Sequence, residues 1–392
     1  MKTLIATLLL ALALPASAQD QQVGARTKAM GGSYTAFEDD PISVWLNPAG
    51  IATQPDAASI AYQTYTIYEF QTPPNGQGIV GTNGEYSWND PGLLPTYLGA
   101  VYQLGSEGNH AVGFCFTTPF RMKYLWESIQ STPVPILEDQ VFWRLRAAYA
   151  RDFRFQPEGF LTHVSVGVGL DVSITRWTHQ EVKDLGGGNG AATITLTGTD
   201  MGFGGGAGLL VGLYDNTRNF KVNLGAAWQS QANYNFTLSQ SFTPLFDWPN
   251  QYQAGMTVYL FDGMPLRFTV DAQVIQWKKA GTPSQVAGSP DFQNTLNYSL
   301  GVEYRVKVAE TTSLYPRLGL RRYDAPWGDK HNLPAVGNSI LDIRTRDEKF
   351  LIFTFGAGVG WLTEARKQRS FDLAGDVGGD APGFAVSYTM EF

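Results

Sequence analysis

The sequence predicts an all-β fold, a transmembrane antiparallel β-barrel of about fourteen strands. Three observations predict it. Long runs of residues alternate apolar and polar side chains. The connections between those runs alternate short and long. An export signal precedes a chain that is poor in charge and holds no apolar helix.

The composition sets the bounds. The chain has 392 residues, enough for one large barrel. Charged residues make up 16%, against roughly 25% in soluble domains. The mean hydropathy is −0.15, which excludes a bundle of apolar helices. Together with 43 Gly and 13% aromatics, these values fit a barrel whose lipid-facing and lumen-facing residues average out. A secreted β-sandwich or β-helix is the alternative on composition alone. The net charge of −7 argues against a nucleic-acid partner. The single cysteine, Cys115, excludes an internal disulfide and any CxxC metal or redox site. No cofactor motif stands out.

Residues 1–18 read as a signal peptide. Lys2 supplies charge, Leu4 to Leu14 the apolar run, and Ala16-Ser17-Ala18 the cleavage site. Beyond it no stretch approaches the ~20 apolar residues of a membrane helix. An exported chain of this kind spans a membrane only as a closed barrel, which pairs every backbone group.

The strands follow in order from Ala57. Leu161 to Trp177 is the clearest, with Val164, Val166, Val168, Leu170 and Val172 on one face. His163, Ser165, Gly167, Gly169, Asp171 and Ser173 lie on the other. Asn297–Val308 and Pro265–Gln276 repeat the pattern. A first pass gives strands near 57–70, 94–104, 109–120, 140–153, 161–177, 192–214, 219–238, 250–261, 265–277, 293–308, 312–323, 348–362 and 381–392. Short turns near 105–109, 154–159, 215–219, 261–264 and 309–312 alternate with longer links at 71–92, 121–138, 178–191, 241–249, 278–292 and 323–347. This is the asymmetry of outer-membrane barrels. Thirteen strands would leave the C-terminus outside, whereas single-chain bacterial barrels have even counts. Arg369–Val377 therefore supplies the missing strand. The final strand alternates Phe384, Val386, Tyr388, Met390 and Phe392, resembling the terminal signal read by the barrel-assembly machinery.

Residues 19–56 differ from the barrel, 57–392. Gly31-Gly32, Asp39-Asp40 and Asn47-Pro48 mark turns rather than strands. So short a segment cannot bury a core of its own. It must pack on something, and the barrel interior is at hand. Gly24-Ala25-Arg26, Met30-Gly31-Gly32, Asp39-Asp40 and Asn47-Pro48-Ala49-Gly50 together resemble the N-terminal signature of the FadL superfamily of outer-membrane proteins. The resemblance implies a fourteen-stranded barrel with an N-terminal hatch inside the lumen. It also implies passive uptake of hydrophobic compounds such as long-chain fatty acids, leaving sideways through the wall. Outer-membrane lipid and a small hydrophobic ligand are the partners it implies. Trp45-Leu46-Asn47-Pro48-Ala49-Gly50 looks closer to the PorV-like branch, which implies instead a secretion component that meets secreted proteins.

Candidate site residues follow from alternation and from the resemblance. The lumen face carries Arg144, Arg146, Asp171, Arg267, Asp271, Glu303, Arg305, Arg317 and Arg321. Arg144, Arg146, Arg267, Arg305 and Arg317 are candidate contacts for an anionic head group. The alternative is that these arginines pair with one another and with Glu38, Asp39 and Asp40 to fix the hatch. Asn47, Pro48, Ala49 and Gly50 form a gate element or a turn that seats the plug. Gly113 and Pro119 are candidates for a kink in the third strand that opens the wall; Pro119 otherwise simply ends that strand. Trp126, Trp143, Trp177, Trp228, Trp248, Trp277, Trp327 and Trp361 read as interface girdles. No catalytic motif stands out, so no enzyme is expected. The remaining possibility there is a barrel phospholipase using His163 with a serine. The glycines of 186–188 and 202–208 lack the Lys-Ser/Thr of a phosphate loop.

Overall fold

Period-2 alternation puts one apolar and one polar face on every strand, and such a sheet satisfies its backbone in lipid only by closing. In the computed structural model the sheet closes. Residues 22–37, 39–70, 85–90, 95–105, 107–126, 136–155, 159–184, 191–216, 220–234, 247–261, 263, 265–280, 293–324, 349–378 and 383–392 are described.

The strands are β1 (Ala57–Gln63), β2 (Tyr65–Phe70), β3 (Glu85–Asp90), β4 (Tyr97–Leu104), β5 (His110–Trp126), β6 (Ile136–Arg154), β7 (Leu161–Asp184), β8 (Ala191–Asn216), β9 (Phe220–Gln229), β10 (Gln251–Leu260), β11 (Leu266–Ile275), β12 (Thr295–Tyr304), β13 (Val306–Lys307), β14 (Thr312–Asp324), β15 (Lys349–Leu362), β16 (Gln368–Val377) and β17 (Gly383–Glu391). β1 and β2, β3 and β4, and β12 and β13 are each one interrupted wall strand, so the barrel has 14 strands. β1 closes it against β17, from Ala57↔Glu391 to Gln63↔Ala385. The weak strand expected at 369–377 is β16, paired with β15 and β17. The end with the long connections is termed outer and the other inner.

The two faces invert the pattern of a soluble protein. Leu170 is 78% exposed and its neighbour Asp171 2%. Val168, Val270, Leu300 and Leu318 likewise face outward. Such an exterior matches lipid, and the polar side chains line the lumen.

Several sequence-based boundaries shift. The third wall strand does not end at Pro119, because β5 continues to Trp126. Pro119 sits in a bulge: Thr117 pairs with Arg144 and Phe120 with Phe142, so two residues of β5 oppose one of β6. Proline cannot donate to the ladder, and a bulge absorbs it. Above the bulge, Tyr68–Phe70 of β2 pair in parallel with Tyr124–Trp126 of β5, the one parallel pairing among the described strands. The link at 71–92 contains β3, which pairs back on β2. The link at 178–191 is mostly strand, because β7 and β8 stay paired out to Asp184↔Ala191. Conversely, the strand expected over 219–238 ends at Gln229, and 230–234 turns inward. The signal peptide, Glu38, Trp327, His331 and the glycines 186–188 lie outside the described residues.

Residues 22–56 lie inside the barrel. They form helices α1 (Ala25–Ala29) and α2 (Ser43–Leu46) and a 3-10 turn (Pro48–Thr53). Val23, Met30, Tyr34, Phe37, Val44 and Ile51 are fully buried there. A third short helix, α3 (Trp277–Ala280), follows β11.

Candidate functional site

The turn at Asn47 is seated by backbone geometry. The Asn47 side-chain oxygen accepts from Ala49 N (3.1 Å), starting the 3-10 turn at Pro48. Asn47 Nδ2 donates to Thr35 O (2.7 Å) within the segment and to Leu209 O (3.1 Å) in the wall. The wall beneath is glycine for a steric reason. A Cβ on Gly167 would stand 2.4 Å from Pro48 C and 2.5 Å from Ala49 N. A Cβ on Gly208 would stand 2.0 Å from Asn47 Oδ1. Gly50 is held similarly, close under the Phe37 carbonyl. Gly113 also faces this segment, where a Cβ would meet Val44 at 2.6 Å.

On the outer side of this turn, aromatic rings surround two arginines. Arg146 donates to both oxygens of Asp171 (2.6 and 2.8 Å) and to Trp45 O (2.6 Å). Arg144 Nη2 donates to Asp171 Oδ2 (2.6 Å). Both guanidinium groups lie over the Trp45 ring, at 4.6 and 5.4 Å, and Arg144 also lies 5.0 Å from the Trp248 ring centre. Two buried cations thus share one carboxylate. Arg144 Nε and Nη1 have no hydrogen-bond partner among the described residues, although the side chain is fully buried. The glycines at 202–208 make room here: Gly204 lies against Arg144 and Gly206 against Arg146.

The rings form one cluster. Phe142 is 5.8 Å from Trp248 and 5.7 Å from Tyr234, and Phe120 is 5.8 Å from Trp277. Trp45 meets Trp248 at 6.0 Å. The roof is made by the segments after β9 and β11. Ala232 bridges to Trp248, and Asp247 N donates to Ala280 O (2.8 Å). The bulge at Pro119 contributes directly. A one-residue insertion turns Phe120 into the lumen, whereas Phe114, before the bulge, is 62% exposed. Trp177, Trp248 and Trp277 are therefore lumen residues rather than girdle residues, a correction to the sequence reading. Trp143, Trp228 and Trp361 do face outward, and the Trp126 side chain lies outside the described residues.

Toward the inner end the charges are matched. Arg26 binds Glu303 through two bonds of 2.9 Å and Asp39 at 3.0 Å. Arg267 reaches Asp39 (2.6 Å) and Glu303 (3.2 Å). Arg317 reaches Glu303 and Asp372, both at 2.6 Å. Lys28 pairs with Asp376. Arg305 stands at the inner rim and donates to Gly263 O (2.6 Å). Arg144 and Arg146, with one carboxylate between them, thus differ from Arg267 and Arg317, each of which meets two. Asp271 accepts from Tyr34 N, Thr35 N and Thr35 Oγ1 and ties the segment to β11. Burial pushes the Asp40 carboxyl up to about 6, against the opposing pull of Arg26 and of hydrogen bonds from Ile42 N and Tyr34. Burial acts on Asp39 as well, but Arg26 and Arg267 outweigh it and hold that carboxyl at about 2.

No Ser–His hydrogen bond occurs among the described residues. His163 contacts Thr162 Oγ1 (3.2 Å), and the Ser165 hydroxyl donates to Asp152 (2.7 Å). Sequence reading missed Trp45, Phe142, Trp248 and Trp277 as site residues. The lumen-facing glycines of β7 and β8 were the available signal that another backbone approaches there.

Solved structures with this architecture include a FadL homologue and two toluene transporters. A Pseudomonas aeruginosa FadL homologue is similar with a TM-score of 0.63 and 14% identity, covering 97% of this chain and 100% of that one. The Pseudomonas putida toluene transporter TodX gives 0.58 and 14% identity, over 96% and 100%. The Ralstonia pickettii toluene transporter TbuX gives 0.53 and 14%, over 95% and 99%. At such identity the likeness establishes a shared fold. No family model matches the sequence, and no curated protein matches it.

Proposed function

We propose that this chain is an outer-membrane barrel for passive uptake of hydrophobic compounds that carry a small anionic head, such as long-chain fatty acids. One observation carries the reading: Arg144 is fully buried among aromatic rings with two nitrogens that have no partner among the described residues. A carboxylate there would supply the missing acceptor, and the rings would take the apolar tail. The fold shared with the toluene transporters TodX and TbuX supports hydrophobic cargo.

In this reading, residues 19–56 of the exported chain are the hatch, and Asn47-Pro48-Ala49-Gly50 is the turn that seats it. Cargo enters through the roof of 230–234 and 247–250. It leaves through the wall beside the Pro119 bulge, where β5 breaks register with β6. Signal-peptide cleavage after Ala18 precedes insertion. No energy source is needed, because cargo moves down its gradient.

The test is flux into proteoliposomes of oleate and, separately, of toluene. Arg144→Leu should lower oleate flux about tenfold or more, the worth of one charge-assisted hydrogen bond of ~1.5–3 kcal/mol, and spare toluene. Flux of neither compound above empty liposomes refutes the transport reading. Equal loss of both compounds in Arg144→Leu refutes the head-group role.

A further inference from the structure

The lumen holds two polar cavities along a different stretch of wall from the aromatic cluster. The outer one, about 40 Å³, lies between Gly31–Thr35 and the wall side chains Gln253, Gln273, Asn297 and Ser299. The inner one, about 150 Å³, is lined by Arg26, Asp39, Arg305, Ser370 and Thr389. Each exceeds the ~10–15 Å³ that one water needs in a polar site. What separates them is the N-terminal segment itself, whose Met30–Gly31 backbone lies against Gly301 and Gly319 of the wall and is fastened there by polar contacts. The Ser33–Thr269 hydrogen bond (2.9 Å) and the Arg26–Glu303 pair join the N-terminal segment to the wall between the two cavities. The wall around them carries Gln251, Gln253, Gln273, Asn297 and Ser299 at successive lumen positions of β10, β11 and β12. Apolar cargo on this wall would strip water from amides, at ~1–3 kcal/mol for each one left unpaired.

We infer from this juxtaposition a second, hydrophilic path that conducts water and small ions along β10–β12 and β14, closed by the Arg26–Glu303 pair. Glu303 is the closing element because three arginines, Arg26, Arg267 and Arg317, converge on it. Neutralising it leaves those cations with Asp39, Asp40 and Asp372. Arg26 then loses its direct bond to the wall and keeps only the tie through Asp39 to Arg267, the segment loosens at this point, and the outer and inner cavities join. The inference does not depend on the transport reading, since the path avoids the aromatic cluster.

Single-channel recording of the full-length protein in planar bilayers with KCl tests it. Glu303→Gln should raise mean current at least tenfold over wild type. Adding Ser299→Trp, which fills the outer cavity, should return the current to the wild-type level. Adding Ser173→Trp, beside Tyr234 on the aromatic side, should not. In the wild-type background, Ser299→Cys and Ser370→Cys should react with a small charged thiol reagent, while Ser173→Cys stays unmodified; this holds whether or not Glu303→Gln folds. The proposal is overturned if folded Glu303→Gln carries no more current than wild type. It is equally overturned if Ser173→Trp and not Ser299→Trp blocks the current, or if neither Ser299→Cys nor Ser370→Cys reacts.

Discussion

Adding one methyl group at Gly167 should dislodge the N-terminal segment without breaking the barrel. The ideal Cβ of Gly167→Ala falls 2.4 Å from Pro48 C, and ordinary contact begins at 3.4 Å, so the turn must withdraw by about 1 Å. The obstructing atoms are backbone, so no rotamer change relieves the contact. Overpacking of this kind costs ~1–3 kcal/mol. The withdrawal also lengthens the Asn47–Leu209 hydrogen bond of 3.1 Å beyond useful range, for about 1 kcal/mol more. Together, ~2–4 kcal/mol shifts the docking equilibrium by roughly 30- to 1000-fold. The strand ladder of β7 is untouched, because the glycine N–H and C=O remain. Limited trypsin digestion of protein in detergent should therefore cut at Arg26 or Lys28 in the variant and not in wild type. The heat-induced mobility shift of the barrel on SDS gels should keep nearly the same midpoint. Unchanged protection of Arg26 in Gly167→Ala would refute this seating of the turn, and so would a barrel that fails to form.

Three further outcomes follow from the same contacts. Asp171→Asn removes the carboxylate shared by two buried arginines, and breaking such a pair costs ~3–5 kcal/mol, so the heat-shift midpoint should fall clearly, unlike that of Gly167→Ala. The carboxyl of Asp40 sits at about 6 in the folded protein against 3.8 otherwise, so the folded state binds the extra proton between those values. Its contribution, on the order of 3 kcal/mol, is fully present below pH 4 and is lost as pH rises through 6. Trypsin protection of Arg26 should accordingly increase from pH 7 to pH 5, and Asp40→Asn should abolish that increase. Deleting Pro119 should make the β5–β6 ladder continuous, with Thr118 opposite Trp143 and Phe120 still opposite Phe142 in the lumen, and so close the proposed exit beside the bulge; oleate flux should then fall several-fold while the heat-shift midpoint holds, with both read on one preparation.

The barrel and its lumen face were legible because both rest on a local rule. Side chains alternate along a strand, so Arg144, Asp171, Arg267, Glu303 and Arg317 could be placed inward from their neighbours alone. Strand direction, tracked turn by turn, exposed the weak strand at 369–377. The rule fails wherever the strand is irregular or absent. Phe120 follows a bulge and so reverses face, and Trp248 and Trp277 sit in connections with no period to read.

The partnerships inside the lumen obey no local rule. Arg26 and Glu303 are 277 residues apart, and Arg146 meets Trp45 across 101. Sequence alone determined that arginines and acids share the lumen face. Only the tertiary structure decided that Arg267 and Arg317 are neutralised there while Arg144 keeps two nitrogens free of partners among the described residues. The reason is physical: alternation fixes the side of the sheet a charge occupies, but its neighbours depend on the register of several strands and on the path of the segment enclosed between them.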